Sequence, residues 1–410
     1  MQGVRASTLA SGLAEMGCGG LVVFAESAAD PDLAPFTGSV HLGESLLIVP
    51  AGGTPRLVYF TAMERDEAAA TGLGLITPEE LDLVRWRQEA PDPVDFLAGA
   101  LTRALERAGL APGRTALAGH GQVGVLHAVL SRLARTGWEW VPGNDLVLAV
   151  RKRKTGQEVA AIREAAAGTA EAFRTVARLL ATAVPSEETG ELQLGGTPLT
   201  VGRLRAEVAM ALAARGLEQP RGNIIAPGDE GGVPHSAGTP ERVVRLGEPL
   251  VVDIFPHGTL FADCTRTFCV GEPSEPLAAA YAAVREALER AYAAARPGVR
   301  GWDLQETVCQ LFQERGYPTP ISHPGTLTGY VHGLGHGVGF QLHEQPVFRK
   351  ETGAEGVIAE GDVFTLEPGL YDPGAAGGGY GVRLEDLVWL GPDGLENLTP
   401  LPYDLDPRAW

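Results

Sequence analysis

Short apolar runs alternate with segments of helical spacing over the first 150 residues. Runs rich in β-branched and aromatic side chains predict strands at 21–25, 45–51, 56–60 and 115–119. Apolar residues that recur every three or four positions predict helices at 94–108 and 123–135. Two glycines at 52–53 separate neighbouring strands and indicate a hairpin. The pattern therefore predicts a small α/β domain over residues 1–150.

After a charged junction at 151–158, the pattern changes to two helices followed by strands, and this order occurs twice. Helices are predicted at 158–183, 201–215, 276–296 and 302–315. Strands are predicted at 249–255, 259–269, 332–342, 362–367 and 381–390. The two halves share no sequence repeat, so any duplication would be one of structure alone. We expect a larger mixed α/β (α+β) domain over residues 151–410.

Composition narrows the classes of function. The chain has 410 residues and a net charge of −18, and an acidic surface is a poor partner for a phosphate backbone. No apolar run reaches the roughly 20 residues that cross a bilayer, and the N-terminus lacks a signal-peptide pattern. The cysteines are sparse and have no CxxC spacing, which is typical of a reducing compartment. We therefore expect a cytoplasmic protein that binds neither nucleic acid nor membrane.

Two aspartates flank a predicted turn in the segment 251–268. Asp253 and Asp263 lie on either side of residues 256–258, and a hairpin with its turn there would bring the two carboxylates together across paired strands. Two close carboxylates repel each other unless a cation or a proton lies between them. On this pair alone, two unrelated aspartates at strand ends are the simpler interpretation.

A second cluster combines histidines with glycines. His332, His336 and His343 lie in a glycine-rich segment, and glycines suit a chain that must approach another group closely. Further on, Glu367 ends an apolar strand and Glu385 interrupts a strand-like run. A carboxylate directed into a core is costly unless it is paired or coordinated, although Glu385 taken alone also fits simple surface alternation.

Together these residues form an oxygen-rich ligand set with one imidazole: Asp253, Asp263, His336, Glu367 and Glu385. Such a set suits Mn²⁺ first, then Co²⁺, and can also hold Zn²⁺. Two divalent ions about 3.5–4 Å apart would balance four carboxylates, in the arrangement that two-metal hydrolases use. The chain has no HExxH motif, which disfavours a mononuclear zinc peptidase. The sequence therefore predicts a two-metal hydrolytic centre.

The segments that carry these residues resemble the pita-bread metallopeptidases, which include methionine aminopeptidases, Xaa-Pro aminopeptidases, prolidases and the metal-free creatinases. The matching segments are PHSAG, VVDIF…FADCTRTF, HGLGHGVGFQLHE, FTLEPGLY and GVRLED, in the family's order and separation. The first 150 residues resemble the smaller domain of the prolidase, Xaa-Pro aminopeptidase and creatinase branch. There are two departures: Ile-Phe follows Asp253 where the family has Xaa-Gly, and the spacing from Asp253 to Asp263 is one residue shorter than expected.

The resemblance implies a role for each matching residue. It implies that Asp253 binds one metal ion, that His336 and Glu367 bind the other, and that Asp263 and Glu385 bridge the two. It also implies that His235 and His343 are catalytic histidines that contact the substrate, and that His332 lines the site. The intact ligand set argues against the creatinase branch and against a catalytically silent binding protein on this fold. A homodimer is expected because the family often dimerises.

The reaction that this resemblance predicts is hydrolysis of an Xaa-Pro bond in a small peptide by a metal-bridging hydroxide. His343 would donate to the developing oxyanion, Glu367 would shuttle a proton, and His235 would lie near the leaving proline nitrogen. Arg383 lies two positions before Glu385, and a guanidinium there could bind the free carboxylate of a dipeptide. That reading favours a prolidase. If Arg383 instead pairs with a ligand carboxylate, longer peptides could fit, and the alternative is an Xaa-Pro aminopeptidase.

Overall fold

A computed structural model describes residues 3–375 and 378–410 of the chain. These residues form two compact units, Met1–Arg151 and Lys152–Trp410. Among the described residues, no helix has both the length and the apolar character that a bilayer crossing requires.

The first unit contains helices and strands in alternation. Its helices are α1 (Gly3–Met16), α2 (Ala34–Thr37), α3 (Arg65–Ala70), α4 (Leu83–Glu89), α5 (Pro93–Arg107), α6 (Val123–Ala134) and α7 (Asn144–Lys152). Its strands are β1 (Gly20–Ala25), β2 (Ser45–Pro50), β3 (Arg56–Tyr59), β4 (Gly74–Ile76), β5 (Arg114–Gly119) and β6 (Glu139–Pro142). The predicted strands and helices of this region all occur, with ends that differ by one or two residues.

The strands of the first unit form one mixed sheet in the order β4-β3-β2-β1-β5-β6. Strand β1 is antiparallel to β2 and parallel to β5. Alternate side chains of the central strands are buried on opposite faces of this sheet. One face packs with α1 and α7 and carries Leu21, Val23 and Leu47. The other packs with α5 and α6 and carries Val22, Leu46 and Ile48.

The second unit carries longer helices and several small antiparallel sheets. Its helices are α8 (Gly156–Thr182), α9 (Val201–Ala213), α10 (Gly228–Gly231), α11 (Glu275–Ala294) and α12 (Gly301–Glu314). Its first strands are β7 (Val184–Pro185), β8 (Leu192–Leu194), β9 (Thr197–Pro198), β10 (Asn223–Pro227), β11 (Pro249–Ile254) and β12 (Cys264–Cys269). The later strands are β13 (His336–Gly337), β14 (Glu344–Val347), β15 (Val363–Leu366), β16 (Gly369–Asp372), β17 (Tyr380–Arg383), β18 (Asp386–Gly391) and β19 (Gly394–Asn397).

Helix α8 starts where the sequence supplies a complete capping box. Thr155 accepts a hydrogen bond from the backbone N–H of Glu158, and the Glu158 side chain accepts one from the backbone of Thr155. Helices α8 and α9 share a core with β10, β11 and β12. Helices α11 and α12 share a second core with β15, β17 and β18. The second unit therefore has the duplicated order of helices and strands that the sequence suggested.

Three predicted strands differ from the structure. The strand predicted at 259–269 begins only at Cys264, because residues 255–263 form a longer loop than the predicted turn. Of the segment 332–342, only His336–Gly337 is a strand. The run 381–390 is two strands, β17 and β18, that belong to different sheets and separate at residues 384–385. All three differences lie beside the predicted site, where residues expected in strands do not form regular strand hydrogen bonds.

Candidate metal centre

One cavity in the second unit, of about 280 Å³, is lined by all five predicted metal ligands. They are Asp253, Asp263, His336, Glu367 and Glu385. His235, His332, His343 and Arg383 line the same cavity. Every residue that the sequence placed at the site is therefore found there. Segments up to 150 residues apart in the chain converge on this single space.

A row of backbone pairs across β11 and β12 fixes three positions of the site. Asp253 pairs with Thr265, and Thr265 forms a bridge with Glu385, whose N–H donates to the Thr265 carbonyl at 3.0 Å. The predicted hairpin therefore exists, but Asp253 faces Thr265 across it. Asp263 lies just before β12 instead of in the pair, because the loop between the strands is longer than the sequence suggested.

The glycine-rich segment holds His336 close to the other ligands. A Cβ on Gly337 would lie 1.9 Å from the carbonyl oxygen of Gln345, and one on Gly335 would lie 2.0 Å from that of Thr365. Only glycine permits such close backbone approach. The Nε2 atom of His336 lies 3.3 Å from Glu367 Oε1 and 3.7 Å from Asp263 Oδ2.

Neighbouring backbone orients the His336 ring. Its Nδ1 lies 3.1 Å from the carbonyl oxygen of Gly337. Since a carbonyl can only accept, Nδ1 donates to it, and Nε2 is the nitrogen that faces the carboxylates and can bind a metal once it has given up its own proton. This is the arrangement of a histidine that binds a metal through Nε2.

The carboxylates of this cavity cannot all ionise freely without a cation. Burial raises the pKa of Asp263 well above its ordinary value, and the charge of Glu385 adds to the rise. Burial, followed by the charge of Glu367, likewise raises the pKa of Glu385 well above its usual range. Burial also raises the pKa of Asp253, although the nearby Arg383 opposes this rise. Crowded, buried acids of this kind favour either protons or metal ions.

Glu367 and His336 behave as an ion pair in the absence of metal. Burial acts to raise the pKa of Glu367, but the hydrogen bond and charge of His336 outweigh it and bring the value to about 2. Burial acts to lower the pKa of His336, and Glu367 outweighs it in turn, so that the pKa is raised. A metal ion at Nε2 would take the place of the proton that the two groups share.

Two buried carboxylate oxygens identify the space that a cation would fill. Asp253 Oδ1 and Asp263 Oδ1 have no hydrogen-bond partner among the described residues. Ligand atoms of Asp263, His336 and Glu385 lie within 4.8 Å of one another. An unpartnered buried oxygen is costly in an empty protein interior, and a divalent cation would satisfy both. The donor set and its geometry therefore fit hard divalent metal ions.

Arg383 has a different set of partners from the one expected of a residue that binds a substrate carboxylate. Its Nη2 donates to Asp253 Oδ2 at 2.7 Å, its Nε to Thr265 Oγ1 at 3.0 Å and its Nη1 to the Tyr371 hydroxyl at 2.9 Å. All three nitrogens are therefore engaged, and the side chain is 5% exposed. The structure has the alternative arrangement, in which Arg383 pairs with a ligand carboxylate.

This pairing leaves Asp253 able to bind a metal. Arg383 holds Oδ2, and the unpartnered Oδ1 remains available. A guanidinium that holds one oxygen of a ligand carboxylate fixes the direction of the other. We therefore interpret Arg383 as a positioning residue for Asp253.

His332 belongs to a hydrogen-bond chain that starts at Arg383. Its Nδ1 donates to the carbonyl of Gly333 at 2.7 Å, so its Nε2 accepts from the Tyr371 hydroxyl at 2.8 Å. Tyr371 in turn accepts from Arg383. Burial, as the largest cause, lowers the pKa of His332. The ring therefore lines the cavity in its neutral form.

The two proposed catalytic histidines are both exposed and both line the cavity, but their contacts differ. His343 packs edge-on against His336, with 4.2 Å between the ring centroids. Burial, helped by the charge of His336, lowers the pKa of His343 to about 4. His235 is exposed at the cavity edge, after the short helix α10. His343 is therefore neutral at neutral pH, and His235 is open to an entering ligand.

Sequence reasoning missed three hydroxyls that support the ligands. Thr265 donates to Glu385 Oε2 at 2.7 Å, and Thr365 donates to Glu367 Oε1 at 3.3 Å. Tyr371 links Arg383 to His332. Thr265 and Thr365 each lie two residues from a ligand in the chain, a spacing that in a strand places both side chains on one face and that could have identified them. Tyr371 does not lie two residues from a proposed ligand, so this spacing could not have identified it.

A profile described as metallopeptidase family M24 matches residues 160–392, more than half of the chain. In an alignment over 410 residues, the chain is 29% identical to the "Probable dipeptidase PepE" of Mycobacterium tuberculosis, covering 98% of this chain and 95% of that one. It is also 35% identical over 216 residues to the Xaa-Pro dipeptidase of Pyrococcus furiosus, covering 50% of this chain and 57% of the relative.

The fold matches solved structures over nearly the whole chain. A prolidase from Pyrococcus furiosus superposes with a TM-score of 0.71 at 22% identity, covering 96% of this chain and all of the other. At that identity, the match establishes the pita-bread fold and leaves the chemistry to the residues of the site.

Proposed function

Because the chain belongs to metallopeptidase family M24, we propose that it is a metal-dependent Xaa-Pro dipeptidase. The substrate would be a dipeptide with proline after the scissile bond. The M24 relatives whose names include Xaa-Pro dipeptidase support this substrate class. An Xaa-Pro aminopeptidase that acts on longer peptides is the alternative, since Arg383 does not present a free guanidinium to a substrate carboxylate.

The observation that supports this proposal most is the convergence of four carboxylates and one imidazole on a single cavity with unpartnered buried oxygens. Asp253, Asp263, His336, Glu367 and Glu385 would hold two divalent ions. A pair of such ions supplies a nucleophile at neutral pH and polarises the scissile carbonyl. Arg383 balances the charge of Asp253 in part, and the bound ions would balance the charges of the other carboxylates.

The remaining groups would position and protonate the substrate. His343 is neutral, so it can donate an N–H toward the oxygen that becomes negative in the transition state. His235, at the exposed edge, would lie near the proline nitrogen, which must gain a proton to leave because it carries no hydrogen of its own. Glu367 would accept a proton from the attacking water and pass it on. His332, held by Tyr371, would form part of the wall against which the substrate rests.

A comparison of two substrates tests the proposal. We expect the metal-loaded protein to hydrolyse an Xaa-Pro dipeptide faster than an Xaa-Pro-Xaa tripeptide with the same first residue. Release of the first amino acid and proline would be followed by amino-acid analysis. Cleavage of the tripeptide alone would establish the aminopeptidase instead. Cleavage of neither, together with loss of metal on dialysis, would identify a catalytically silent protein.

The finer properties of the centre are part of the same proposal. We propose Mn²⁺ as the metal, with Co²⁺ and Zn²⁺ as the other candidates, and a panel of the three ions on metal-free protein would rank them.

We also propose a homodimer, which sedimentation would detect, and a cytoplasmic location, which the four unpaired, buried cysteines favour. The first unit would be the smaller domain of the prolidase and creatinase branch.

A further inference from the structure

A buried ion pair in the second unit has no part in the chemistry described so far. Lys154 Nζ lies 2.6 Å from Glu344 Oε1, and both side chains are fully buried. Lys154 belongs to the charged junction at 151–158, and Glu344 begins β14 directly after His343. Neither residue of the pair lines the metal cavity. Because removing two charges from water costs about as much as their attraction contributes, stability alone does not account for the pair.

The carboxylate of Glu344 closes the turn that carries His343. Its Oε2 accepts a hydrogen bond from the backbone N–H of Gln341 at 3.2 Å. The side chain therefore reaches back over the two residues between them, Leu342 and His343, which both line the metal cavity. His343 is exposed, whereas Glu344 is buried. The carboxylate thus holds, from the buried side, the turn that presents the imidazole to the cavity.

Lys154 holds this carboxylate in place and is itself held at two points. Its Nζ donates to the carbonyl of Lys152 at 3.0 Å, and its backbone N–H donates to the carbonyl of Gly361 at 2.8 Å. Its side chain also packs against the chain just before the turn. A Cβ on Gly339 would lie 2.4 Å from Lys154 Cε and 2.7 Å from Glu344 Oε1. The ion pair therefore fixes the turn relative to the start of the second unit.

The imidazole of His343 has few contacts of its own that could hold it. Among the described residues its ring makes no hydrogen bond, and it contacts the His336 ring edge-on, with 4.2 Å between the centroids. His336 is held differently: its backbone N–H donates to Thr365 Oγ1 at 3.1 Å, and its Nδ1 to the carbonyl of Gly337 at 3.1 Å. The position of His343 therefore depends on its backbone turn far more than that of His336 does.

We propose that Lys154 and Glu344 are positioning residues for His343. They hold the turn 341–344, so that the imidazole N–H keeps its place beside the metal ions. A misplacement of about 1 Å at a catalytic group can lower a rate about 100-fold, which gives the pair a role that its stability does not. The kinetic part of this inference rests on the proposed function, whereas the ordering of the turn by the pair does not.

Replacing both charges at once tests the proposal in the metal-loaded, full-length protein. Lys154→Met combined with Glu344→Leu removes the pair without leaving one buried charge alone. We expect kcat for an Xaa-Pro dipeptide to fall about 10- to 100-fold, with KM and the affinity for Mn²⁺ changed less than about threefold. The matched control is Lys152→Met combined with Asp362→Leu, which should leave kcat unchanged. That neighbouring pair is also buried, with 3.3 Å between Nζ and Oδ2, but its other side-chain bonds go to residues 354–359.

A double-mutant cycle separates the positioning of His343 from a general loss of structure. In a chain that already carries His343→Ala, the double replacement of the pair should lower kcat by less than about twofold more, because the group that the pair positions is absent. An equal loss in both backgrounds, or an unchanged kcat in the first, would overturn the proposal. Glu344→Asp keeps both charges but shortens the reach to Gln341, and it provides the same cycle if the double replacement does not fold.

Hydrogen exchange tests the ordering of the turn without any need for peptidase activity. In peptides that span residues 339–343, measured by mass spectrometry, we expect exchange at least about tenfold faster in the double replacement of Lys154 and Glu344 than in the unmodified chain. The control pair should exchange as the unmodified chain does. Equal exchange in all three proteins would refute the positioning role. Failure of the unmodified chain to cleave any Xaa-Pro peptide would refute the proposed function, and exchange would still decide whether the pair orders the turn.

Discussion

Asp253 uses its two carboxylate oxygens for different purposes. Oδ2 accepts from Arg383 at 2.7 Å, while the buried Oδ1 has no partner among the described residues. The guanidinium thus holds the carboxylate in place and leaves one oxygen directed at the cavity. Asp253 can therefore pair with Arg383 and still offer an oxygen to a metal ion. From the sequence, Arg383 was expected either to bind a substrate carboxylate or to pair with a ligand carboxylate.

Replacing Arg383 with methionine tests this division of roles. We expect the affinity for divalent metal, measured by competition with a chelator, to fall about 10- to 100-fold, and Arg383→Lys to recover part of it. With metal in excess, KM for an Xaa-Pro dipeptide should change little. The opposite pattern, with intact metal affinity and a KM that rises for the dipeptide but not for its amide, would show that Arg383 binds the substrate carboxylate.

The proposed bridging ligands, Asp263 and Glu385, should each be indispensable. Asp263→Asn and Glu385→Gln preserve the shape of the side chain but remove the charge that balances the metal ions. We expect either variant to lower kcat/KM on an Xaa-Pro dipeptide at least about 100-fold. Glu187→Gln, at an exposed position outside the cavity, serves as the control. Near-full activity in either bridging variant would contradict the assigned role.

His343 is exposed at the cavity, yet the partial burial of its ring there still lowers its pKa. Its pKa of about 4 results mainly from burial, so the ring does not gain a proton in the range where the enzyme would work. Replacement by alanine should lower kcat about 100- to 1000-fold with a smaller effect on KM, as for the loss of one oxyanion donor. An effect confined to KM, measured by steady-state kinetics on a dipeptide, would instead assign His343 to ground-state binding.

At the scale of elements, the short strand β13 can form only because Gly337 has no side chain to clash with the neighbouring backbone. Gly337 has backbone 1.9 Å from where its Cβ would lie, whereas Gly333, four positions earlier, has nothing within 4 Å. We expect Gly337→Ala to lower the free energy of unfolding in urea by about 1–3 kcal/mol, the usual cost of forced overpacking. Gly333→Ala should be close to neutral. Equal effects of the two substitutions would mean that close approach is not what requires glycine at 337.

Sequence patterns predicted those elements whose periodicity reflects burial alone. Helix α8 has an alanine-rich face and a capping box, and β11 is apolar apart from Asp253, so both were predicted within two residues of their ends. The segment 332–342 was wrong as a strand because its glycines serve close approach instead of pairing. The run 381–390 changes sheets at Glu385, and this break depends on a bridge to Thr265, more than 100 residues away, that no local pattern contains.

The same contrast holds for the site. The convergence of the five proposed ligands on one cavity could be predicted because their types and order along the chain match a known family. The partners of Arg383 could not, because they come from β11, β12 and β16, whose convergence is a property of the tertiary fold. Residue identity thus predicted which side chains meet, while packing determines which hydrogen bonds they make.

At the scale of the whole molecule, the stability of the second unit should depend on metal and pH together. Without metal, the pKa values of Asp263 and Glu385 are raised well above ordinary, so the folded state keeps protons that the unfolded chain has lost. Stability of the metal-free protein therefore falls as pH rises above the ordinary values and toward the raised ones. Bound metal ions replace those protons and remove the loss.

We therefore expect the difference in Tm between metal-loaded and chelator-treated protein to widen from about pH 5 to about pH 8. Calorimetry at several pH values would measure it, and Asp263→Asn combined with Glu385→Gln should flatten the dependence. A difference that stays constant or narrows with rising pH would mean that these carboxyls do not exchange protons for metal.

The most direct test is an anomalous difference map from crystals of the full-length protein grown with Mn²⁺. We predict two peaks about 3.5–4 Å apart, each touching Asp263 and Glu385, with Asp253 beside one peak and His336 with Glu367 beside the other. Peaks that lie outside this cavity, or a cavity with no peak at saturating Mn²⁺, would contradict the account.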